Sequence, residues 1–416
     1  MSVDVVVRQH VEDAGFMALL RGRRVVAPQF DLAHLGRFDS ILEAHLDGLS
    51  AAGDLAWSVA VESAEELGVL ATSTFTHIAR GPLGHGLPQR VARQLCGDAA
   101  ALRIFEETCL LAEAPYRTLP RGVEHSSTAE LLGRIAVRMR SPVDGPDRAQ
   151  WVRLCDELRT LGDALHVELL ASAGAADRMS EVVAEIALTP AARRAAVAGA
   201  AALLGDRRAS IVELEAISAS GPGLGAREAC VLLDSVDVPH ARDVLKRINE
   251  RAGVSRELVR ACGFAGDSFY VPWLVRQMDD LELTRLAGES FSMITGLDLA
   301  WLDLDRKPPE NFESGPNDDP NDPNVDMDED DGLPWPDQEK IAAWWKANSH
   351  RFPAGQRFFM GQPPSMAHCL EVLKSGYQRQ RMAAAIWRCI LQPGTPLFPT
   401  DAPAWRQKRW LAQMTA

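Results

Sequence analysis

Apolar residues recur every three or four positions over long stretches of this chain, which is the period of an amphipathic helix. The pattern is clear over residues 3–24 and 32–53, where Val, Leu and Ala alternate with charged side chains at that spacing. A Gly- and Pro-rich stretch, GPLGHGLPQR at 81–90, interrupts it. We therefore predict that residues 1–140 form an irregular helical N-terminal region.

A repeat of about thirty residues follows this region. Aspartates recur at intervals of 30, 29, 31, 30 and 31 residues, each between an Ala-rich segment and a second amphipathic segment. These aspartates are Asp147, Asp177, Asp206, Asp237, Asp267 and Asp298. An Asp carboxylate accepts hydrogen bonds from the free N–H groups of a helix's first turn. Each aspartate is therefore predicted to begin the second helix of a helical hairpin.

Stacked hairpins of this length are predicted to form a HEAT-like α-solenoid over residues 141–307. One hairpin cannot bury both of its faces, whereas stacked copies bury a continuous core. The alternative is a non-repetitive helical bundle with accidental spacing. We further predict an acidic, Pro-rich disordered linker over 308–336 and a basic, Trp-rich helical C-terminal region over 337–416.

The composition agrees with an all-α protein. Aromatic residues make up 6% of the chain, and Ala and Leu abound, which suits helices better than strands. No apolar run reaches the length of a membrane span, and Asp4 and Arg8 interrupt the N-terminus, so a cytoplasmic location is predicted. The seven cysteines are dispersed without a C-x-x-C pair, which predicts reduced thiols and argues against disulfides or a zinc site.

The net charge of −13 is distributed unevenly along the chain. Residues 310–331 contribute −10, residues 337–416 contribute +7, and residues 1–309 account for the remaining −10. Nucleic-acid binding relies on concentrated Lys and Arg, so the acidic body argues against a nucleic-acid partner.

The segment NDDPNDPNVDMDEDDG at 317–332 has eight carboxylates and no basic residue. It lacks the glycine and glutamate spacing of an EF-hand loop, so no dedicated calcium site is expected. Low hydrophobicity and dense like charge favour a solvated linker, whose neutralisation would change stability little. The alternative is docking on the basic C-terminal region or on a partner. The candidate residues for docking are Asp326, Asp328, Asp330 and Asp331.

Two further pairs of candidate partner-binding residues lie in the C-terminal region. Trp344 and Trp345 point in adjacent directions on one predicted helix, so a narrow buried stripe does not hide both. Trp is enriched at interface hot spots, although core packing is its more common role. Arg379 and Arg381 begin the predicted helix 377–391 as a basic patch that would seat the acidic segment or an acidic partner.

Sequence motifs of catalysis and cofactor binding are not found. The glycines of GPGLG at 221–225 follow a helical pattern, whereas a dinucleotide loop follows a buried strand. The ten histidines form no H-E-x-x-H motif, and no G-x-S-x-G motif offers a nucleophile. We therefore predict a protein that is not an enzyme and has no catalytic residues, cofactor or metal; an enzyme on a helical scaffold is the less favoured alternative.

Several longer sequence segments resemble those of an uncharacterised bacterial family of HEAT-like repeat proteins found near type VI secretion genes. The segments are RLAGESFSMITGLDL (285–299), LPWPDQEKIAAWW (333–345), GYQRQRMAAA (376–385), PGTPLF (393–398), EDAGFMALLR (12–21) and DSILEAHLDGL (39–49). The resemblance runs along nearly the whole chain and supplies no catalytic or ligand residues. It implies a helical-repeat protein in that setting. Because solenoids present extended concave surfaces and reaction motifs are not found, we predict a protein-binding scaffold, an adaptor or chaperone for a secretion effector or spike component. The alternative is an immunity protein that sequesters a toxic effector.

Overall fold

The computed structural model of the protein describes residues 3–63, 148–160, 165–220, 223–310 and 328–415, and the single residues 111, 312 and 315. Regular structure in these ranges is almost entirely helical, which confirms the predicted all-α class. The described strands form one antiparallel pair, two residues each. Among the described helices, none is long and apolar enough to cross a bilayer. In the predicted N-terminal region 1–140, residues 64–110 and 112–140 lie outside the described residues. Asp147 lies outside them as well.

The described residues form two compact units. The first contains residues from the ranges 3–26, 30–63, 148–175 and 396–414. Its helices are α1 (Val3–Arg24), α2 (Leu32–Ala52), α3 (Asp54–Ser63), α4 (Arg148–Thr160), α5 (Leu165–Ser172) and α17 (Ala404–Gln413). The predicted C-terminal region 337–416 therefore contributes to both units, because its last helix belongs to this one.

Interlocking apolar stripes join the first two helices. The buried residues in these stripes are Val7, Val11, Ala14 and Ala18 on α1, and Leu35, Leu42, Leu46 and Leu49 on α2. Their spacing places each set on one face of its helix, and the two helices pack together. Asp31 is the N-cap of α2, and its side chain accepts from the backbone N–H of His34 at 2.7 Å.

A buried ion pair joins α1, α2 and α17 within the first unit. Arg21 Nε donates to Asp39 Oδ1 at 2.7 Å, and both side chains are almost completely buried. The other carboxylate oxygen of Asp39 accepts from the backbone N–H of Ala404 at 2.7 Å. This N–H is one of the groups at a helix start that lack an intrahelical partner. The pair therefore fixes where α17 begins.

The second unit contains residues from the ranges 27–29, 176–220, 223–310 and 328–395. Its helices are α6 (Met179–Leu188), α7 (Ala191–Leu204), α8 (Ala209–Ala219), α9 (Ala226–Ser235), α10 (Val238–Ala252), α11 (Arg256–Ala265), α12 (Val271–Gln277), α13 (Thr284–Thr295), α14 (Gln338–Asn348), α15 (Met366–Ser375) and α16 (Gln378–Leu391). Its strands are β1 (Asp305–Arg306) and β2 (Trp335–Pro336). Short 3₁₀ helices lie at Ala176–Arg178, Ser268–Tyr270 and Ser349–Arg351.

Helices α6 to α11, together with α13, pack in two alternating layers. In one layer α7, α9, α11 and α13 contact each other in turn, and in the other α8 contacts α6 and α10. Consecutive helices such as α10 and α11 pack across the layers. Small residues allow close approach within the first layer, since a Cβ atom on Gly263 of α11 would lie 3.0 Å from Ser290 Cα in α13.

Four of the six repeated aspartates accept a hydrogen bond from the helix or turn that follows them. The side chains of Asp206, Asp237, Asp267 and Asp298 each accept from a backbone N–H two to four residues later, at 2.7 to 3.0 Å. The prediction that the aspartate begins a helix is confirmed for Asp237, the N-cap of α10, and Asp206 binds an N–H in the first turn of α8. Asp267 caps the 3₁₀ helix Ser268–Tyr270, which leads into α12. Asp298 is followed by a turn, so the helix predicted after it is not found. Asp177 lies inside the 3₁₀ helix Ala176–Arg178 and precedes α6 by two residues.

The segment that follows α14 closes the C-terminal ends of two helices. The N–H groups of Met360 and Gly361 donate to carbonyls in the last turn of α13, at 2.7 and 3.0 Å. The N–H of Phe358 donates to the carbonyl of Gly266, directly after α11, at 2.8 Å. These carbonyl groups at a helix end lack intrahelical partners, so the segment supplies their hydrogen bonds. Helix α16 then packs against α7, α9 and α15.

Candidate protein-interaction sites

Four arginines from three helices of the second unit converge on one short stretch of the acidic segment. Arg256 and Arg260 lie one turn apart on α11, which begins after the N-cap Ser255. Arg285 lies in the first turn of the neighbouring helix α13, and Arg379 lies at the start of α16. We call these four side chains the arginine cluster. The acidic strap is defined as residues 328–330, which bind to the cluster.

Asp330 lies at the centre of this contact. Its two carboxylate oxygens accept from Nη1 and Nη2 of Arg256 at 2.7 Å each, which is a bidentate, charge-assisted pair. Asp330 is 1% exposed, whereas the Arg256 side chain is 37% exposed. The hydrogen bonds to Asp330 raise the pKa of the Arg256 guanidinium, because they favour its charged form. Arg285 Nη1 also donates to the backbone carbonyl of Asp330 at 3.1 Å.

The two preceding residues extend the contact to the other arginines. Asp328 pairs with Arg285 at 2.7 Å. The backbone carbonyl of Glu329 accepts from Arg379 Nη2 at 2.6 Å. The Glu329 carboxylate lies 3.4 Å from Arg260, and its side chain is 68% exposed. The strap is therefore bound through two carboxylates and two backbone carbonyls, while its middle side chain faces solvent.

Aromatic rings hold the guanidinium of Arg285 in place. Its central carbon lies 4.9 Å from the ring centroid of Trp335 and 5.3 Å from that of Phe312. Such cation–π contacts orient a guanidinium as well as stabilise it. Trp335 belongs to β2 and pairs in register with Arg306 of β1, so the chain is anchored five residues after Asp330.

A glutamate stands among the four arginines. Glu289 lies one turn after Arg285 on α13, and its carboxylate is 2.7 Å from Arg379. Its side chain is 11% exposed, and this burial raises its pKa. The cluster without the strap thus combines four guanidinium groups with one carboxylate.

The candidate residues predicted from the sequence are distributed around this site. Asp328 and Asp330 belong to the strap, and Arg379 belongs to the arginine cluster. Asp331 is exposed next to the strap, and Asp326 lies outside the described residues. Docking thus involves one residue of the predicted basic patch together with helices of the repeat region.

The remaining three candidates face other parts of the second unit. Trp344 and Trp345 are half-buried, and each packs at 5.5 to 6.5 Å against the rings of Phe291 and Phe352. Arg381 is fully buried, and it donates to a carbonyl oxygen of α15 at 2.8 Å. Arg381 therefore holds α15 against α16 and does not belong to the exposed basic surface.

Sequence reasoning missed Arg256, Arg260 and Arg285. Arg256 and Arg285 lie in the first turns of their helices, where the positive end of the helix dipole disfavours a cation. A basic residue at such a position is a signal for a nearby carboxylate partner. The partner itself lies 74 residues away in the case of Arg256, and no local pattern specifies a contact over that distance.

An apolar groove lies between α10, α11 and α12, and we call it the aromatic groove. Its cavity has a volume of about 320 Å³. The lining residues are Leu245, Lys246, Asn249, Leu258, Cys262, Phe269, Tyr270, Pro272, Trp273 and Arg276. Phe269 is 61% exposed, and the Arg242 guanidinium carbon lies 4.7 Å from its ring centroid. Arg242 is in turn fixed by the buried Asp267 at 2.6 Å.

Buried cysteines and one aspartate form another titratable cluster. The Cys230 thiol donates to Asp234 Oδ2 at 3.3 Å. Burial raises the pKa of Asp234 to about 8 and that of the Cys369 thiol to about 12. A thiol with so high a pKa is a poor nucleophile near neutral pH. Across the described part of the chain, no group of three or more His, Cys, Asp or Glu side chains is arranged to hold a metal ion.

Comparison with known proteins finds no match to a protein-family model, a curated protein or a solved structure. A function is therefore inferred from the sites themselves and from the sequence resemblance.

Proposed function

We propose that the protein is a HEAT-like helical-repeat scaffold that binds a protein partner in the cytoplasm, as an adaptor or chaperone for a type VI secretion effector or spike component. The aromatic groove is the observation that carries the binding role. Exposed aromatic residues around a concave apolar pocket are typical of the hot spots of protein interfaces. The link to type VI secretion comes from the resemblance of several sequence segments to a bacterial family found near type VI secretion genes.

The alternating layers formed by α6 to α11 and α13 support the solenoid part of the proposal. Four aspartates whose side chains bind a following backbone N–H recur at intervals of 30 or 31 residues in this part of the chain. In a helical-repeat array, neighbouring repeats together build one extended surface, and binding sites are shared between them. The aromatic groove has this character, because three successive helices supply its lining.

The chemistry of the groove indicates what its partner inserts. Leu245, Leu258 and Trp273 provide apolar walls, and the cationic side chains of Lys246 and Arg276 stand among the lining residues. A large apolar side chain next to a carboxylate satisfies both features. The contact of Phe269 with Arg242 holds the ring before a partner arrives, which lowers the entropy lost on binding.

Affinity purification from the native cell with a groove variant tests the proposal. Phe269→Ala removes the exposed ring without emptying the core, and Trp301→Ala removes another exposed ring, 86% accessible, outside the groove. We expect Phe269→Ala to reduce recovery of the partner about tenfold or more, and Trp301→Ala to leave it unchanged. Undiminished recovery with Phe269→Ala would overturn the role of the groove.

The identity of the recovered proteins distinguishes the adaptor from an immunity protein. The charge of −10 over residues 1–309 favours the second candidate in one respect, because it would complement a basic toxin surface. An adaptor is recovered with spike and effector together, whereas an immunity protein is recovered with a single toxin. A gene deletion that leaves effector export intact but makes the cell vulnerable to its siblings would overturn the adaptor role.

A further inference from the structure

The contact between the acidic strap and the arginine cluster carries a separate inference. We infer that the arginine cluster is a recognition site for an acidic segment of a partner protein, and that the strap occupies this site when the partner is absent. The inference does not depend on the aromatic groove. Its test uses purified protein and a synthetic peptide.

The strap is bound in the way that peptide-binding sites hold a ligand. The Asp328 and Asp330 carboxylates meet separate arginines, and guanidinium groups also bind the backbone carbonyls of Glu329 and Asp330. Backbone contacts are independent of sequence, so specificity comes from the two carboxylates. The middle side chain, Glu329, is 68% exposed and meets Arg260 and Arg256 at the longer distances of 3.4 and 3.5 Å, so it contributes least of the three. The site therefore recognises a short Asp-x-Asp segment.

The cluster also offers access from solvent. The side chains of Arg256 and Arg260 are 37% and 26% exposed while the strap is bound. Arg260 meets the strap through the exposed carboxylate of Glu329, at 3.4 Å. An incoming carboxylate can therefore reach these guanidinium groups before the strap has left. A stepwise exchange of one acidic segment for another follows from this arrangement.

The arrangement favours a carboxylate ligand over a nucleic acid. Glu289 places a carboxylate inside the cluster, 2.7 Å from Arg379, and so limits the excess of positive charge, which suits two carboxylates better than the dense charge of a phosphate backbone. Residues 1–309 carry a net charge of −10, which opposes the approach of a long polyanion more strongly than that of a short segment with a few carboxylates. The strap has short carboxylate side chains that reach individual guanidinium groups, as the bidentate Asp330 does.

Covalent attachment gives the strap an advantage over a free peptide. A tethered segment competes at an effective concentration in the millimolar range. A free peptide therefore binds the wild-type protein weakly even where the site is well formed. Binding must be compared between the wild-type protein and a variant whose strap has been neutralised.

The main variant is Asp328→Asn/Glu329→Gln/Asp330→Asn in the full-length chain, which keeps the shape of the strap and removes its charge. The probe is a fluorescent peptide with the sequence DMDEDDG of residues 326–332, and binding is followed by fluorescence anisotropy. We expect the variant to bind the peptide about tenfold or more tightly than the wild-type protein does. Adding Arg256→Gln should weaken this binding about tenfold, because the bidentate partner is lost.

Two controls separate recognition from general charge. Arg208→Gln removes an exposed arginine of the second unit outside the cluster and should leave peptide binding unchanged. The uncharged peptide NMNQNNG should not bind. If a short single-stranded DNA binds the neutralised variant as tightly as the acidic peptide does, the site is a general anion site and the inference is overturned.

A milder variant keeps the test decisive if the triple variant does not fold. Glu329→Gln alters a side chain that is 68% exposed and leaves the buried Asp330 pair in place. It weakens the hold of the strap on Arg260, so peptide binding should improve about threefold over wild type. Equal peptide binding by wild type and a folded variant would show that the strap is a structural latch only, and would overturn the inference.

Discussion

Asp234 lies near the end of α9 with 4% of its surface exposed. Burial raises its pKa to about 8, and the nearby Arg357 guanidinium opposes this rise without cancelling it. The same burial lowers the pKa of Arg357. The carboxyl group is therefore largely protonated at neutral pH in the folded protein, whereas in the unfolded chain it ionises near its ordinary value of 3.8.

The stability of the protein is expected to depend on pH through this residue. Between pH 4 and 8 the folded state binds the Asp234 proton more tightly than the unfolded state, so the free energy of unfolding falls as pH rises. Asp234→Asn removes the titration. On going from pH 5 to pH 7, the free energy of unfolding of the variant should therefore rise by roughly 1–3 kcal/mol relative to that of the wild type.

Urea unfolding of both proteins at the two pH values measures this difference. The change in the free energy of unfolding from pH 5 to pH 7 is determined for each protein, and the wild-type value is subtracted from that of the variant. Titrations that are common to both proteins then cancel. A difference that stays constant with pH would show that Asp234 is already ionised in the folded protein.

At the scale of helices, packing within one layer depends on glycine. A Cβ atom on Gly263 of α11 would lie 3.0 Å from the Cα, Cβ and Oγ atoms of Ser290 in α13. Gly263→Ala should lower the free energy of unfolding by about 1–2 kcal/mol, because overpacking outweighs the better helix propensity of alanine.

Gly199→Ala in α7 is the matched control for this substitution. There the added Cβ atom would meet Glu228 Cγ at 3.7 Å, an ordinary contact. Helix propensity then dominates, and the variant should be about 0.5–1 kcal/mol more stable than wild type. Equal effects of the two substitutions would contradict the close approach of α11 and α13.

The acidic strap makes a second prediction at this scale. The sequence predicts that neutralising the acidic segment changes stability little. In the structure the aspartates of this segment differ in their contacts, so their substitutions should differ in effect. Asp330→Asn breaks the bidentate pair with Arg256 and should lower the free energy of unfolding by roughly 1–3 kcal/mol. Asp331→Asn changes an exposed neighbour and should stay within about 0.5 kcal/mol of wild type.

Thermal unfolding of these two single variants, followed by circular dichroism, separates the contributions. Each substitution removes one negative charge, so a general charge effect is the same in both. Equal melting temperatures for Asp330→Asn and Asp331→Asn would contradict the docked strap.

For the molecule as a whole, the sequence predicts contacts that are short along the chain and fails for long ones. Asp206 and Asp237 could be predicted as caps because each meets a backbone group within four residues. The pair of Arg256 and Asp330 spans 74 residues, so neither local propensity nor periodicity specifies it. The aromatic groove could not be predicted for the same reason, since separate helices supply its walls.

Arg379 and Arg381 show the same limit at close range. They are two residues apart, which places them on different faces of α16. In the sequence they form one basic patch, but Arg379 contacts the strap and Arg381 is buried against a carbonyl of α15. The difference depends on where α13 and α15 lie around α16. The local sequence pattern does not specify the positions of these neighbouring helices.

Contacts between distant parts of the chain also determine how the second unit unfolds. Linear repeat arrays often unfold in stages, because each repeat contacts its neighbours alone. Here α16 packs on both α7 and α9, and residues 358–361 close the ends of α11 and α13. These contacts join late elements to early repeats, so we expect the unit to unfold as one cooperative body.

Thiol labelling tests this cooperativity without introducing a probe. Cys230, Cys262, Cys369 and Cys389 are all buried, and they lie in four different helices of the second unit. Under cooperative unfolding, iodoacetamide in rising urea should modify the four thiols at rates within about threefold of one another, measured peptide by peptide with mass spectrometry. Modification of Cys389 at lower urea than Cys230 would show instead that α16 leaves the array first and that the repeats unfold independently of it.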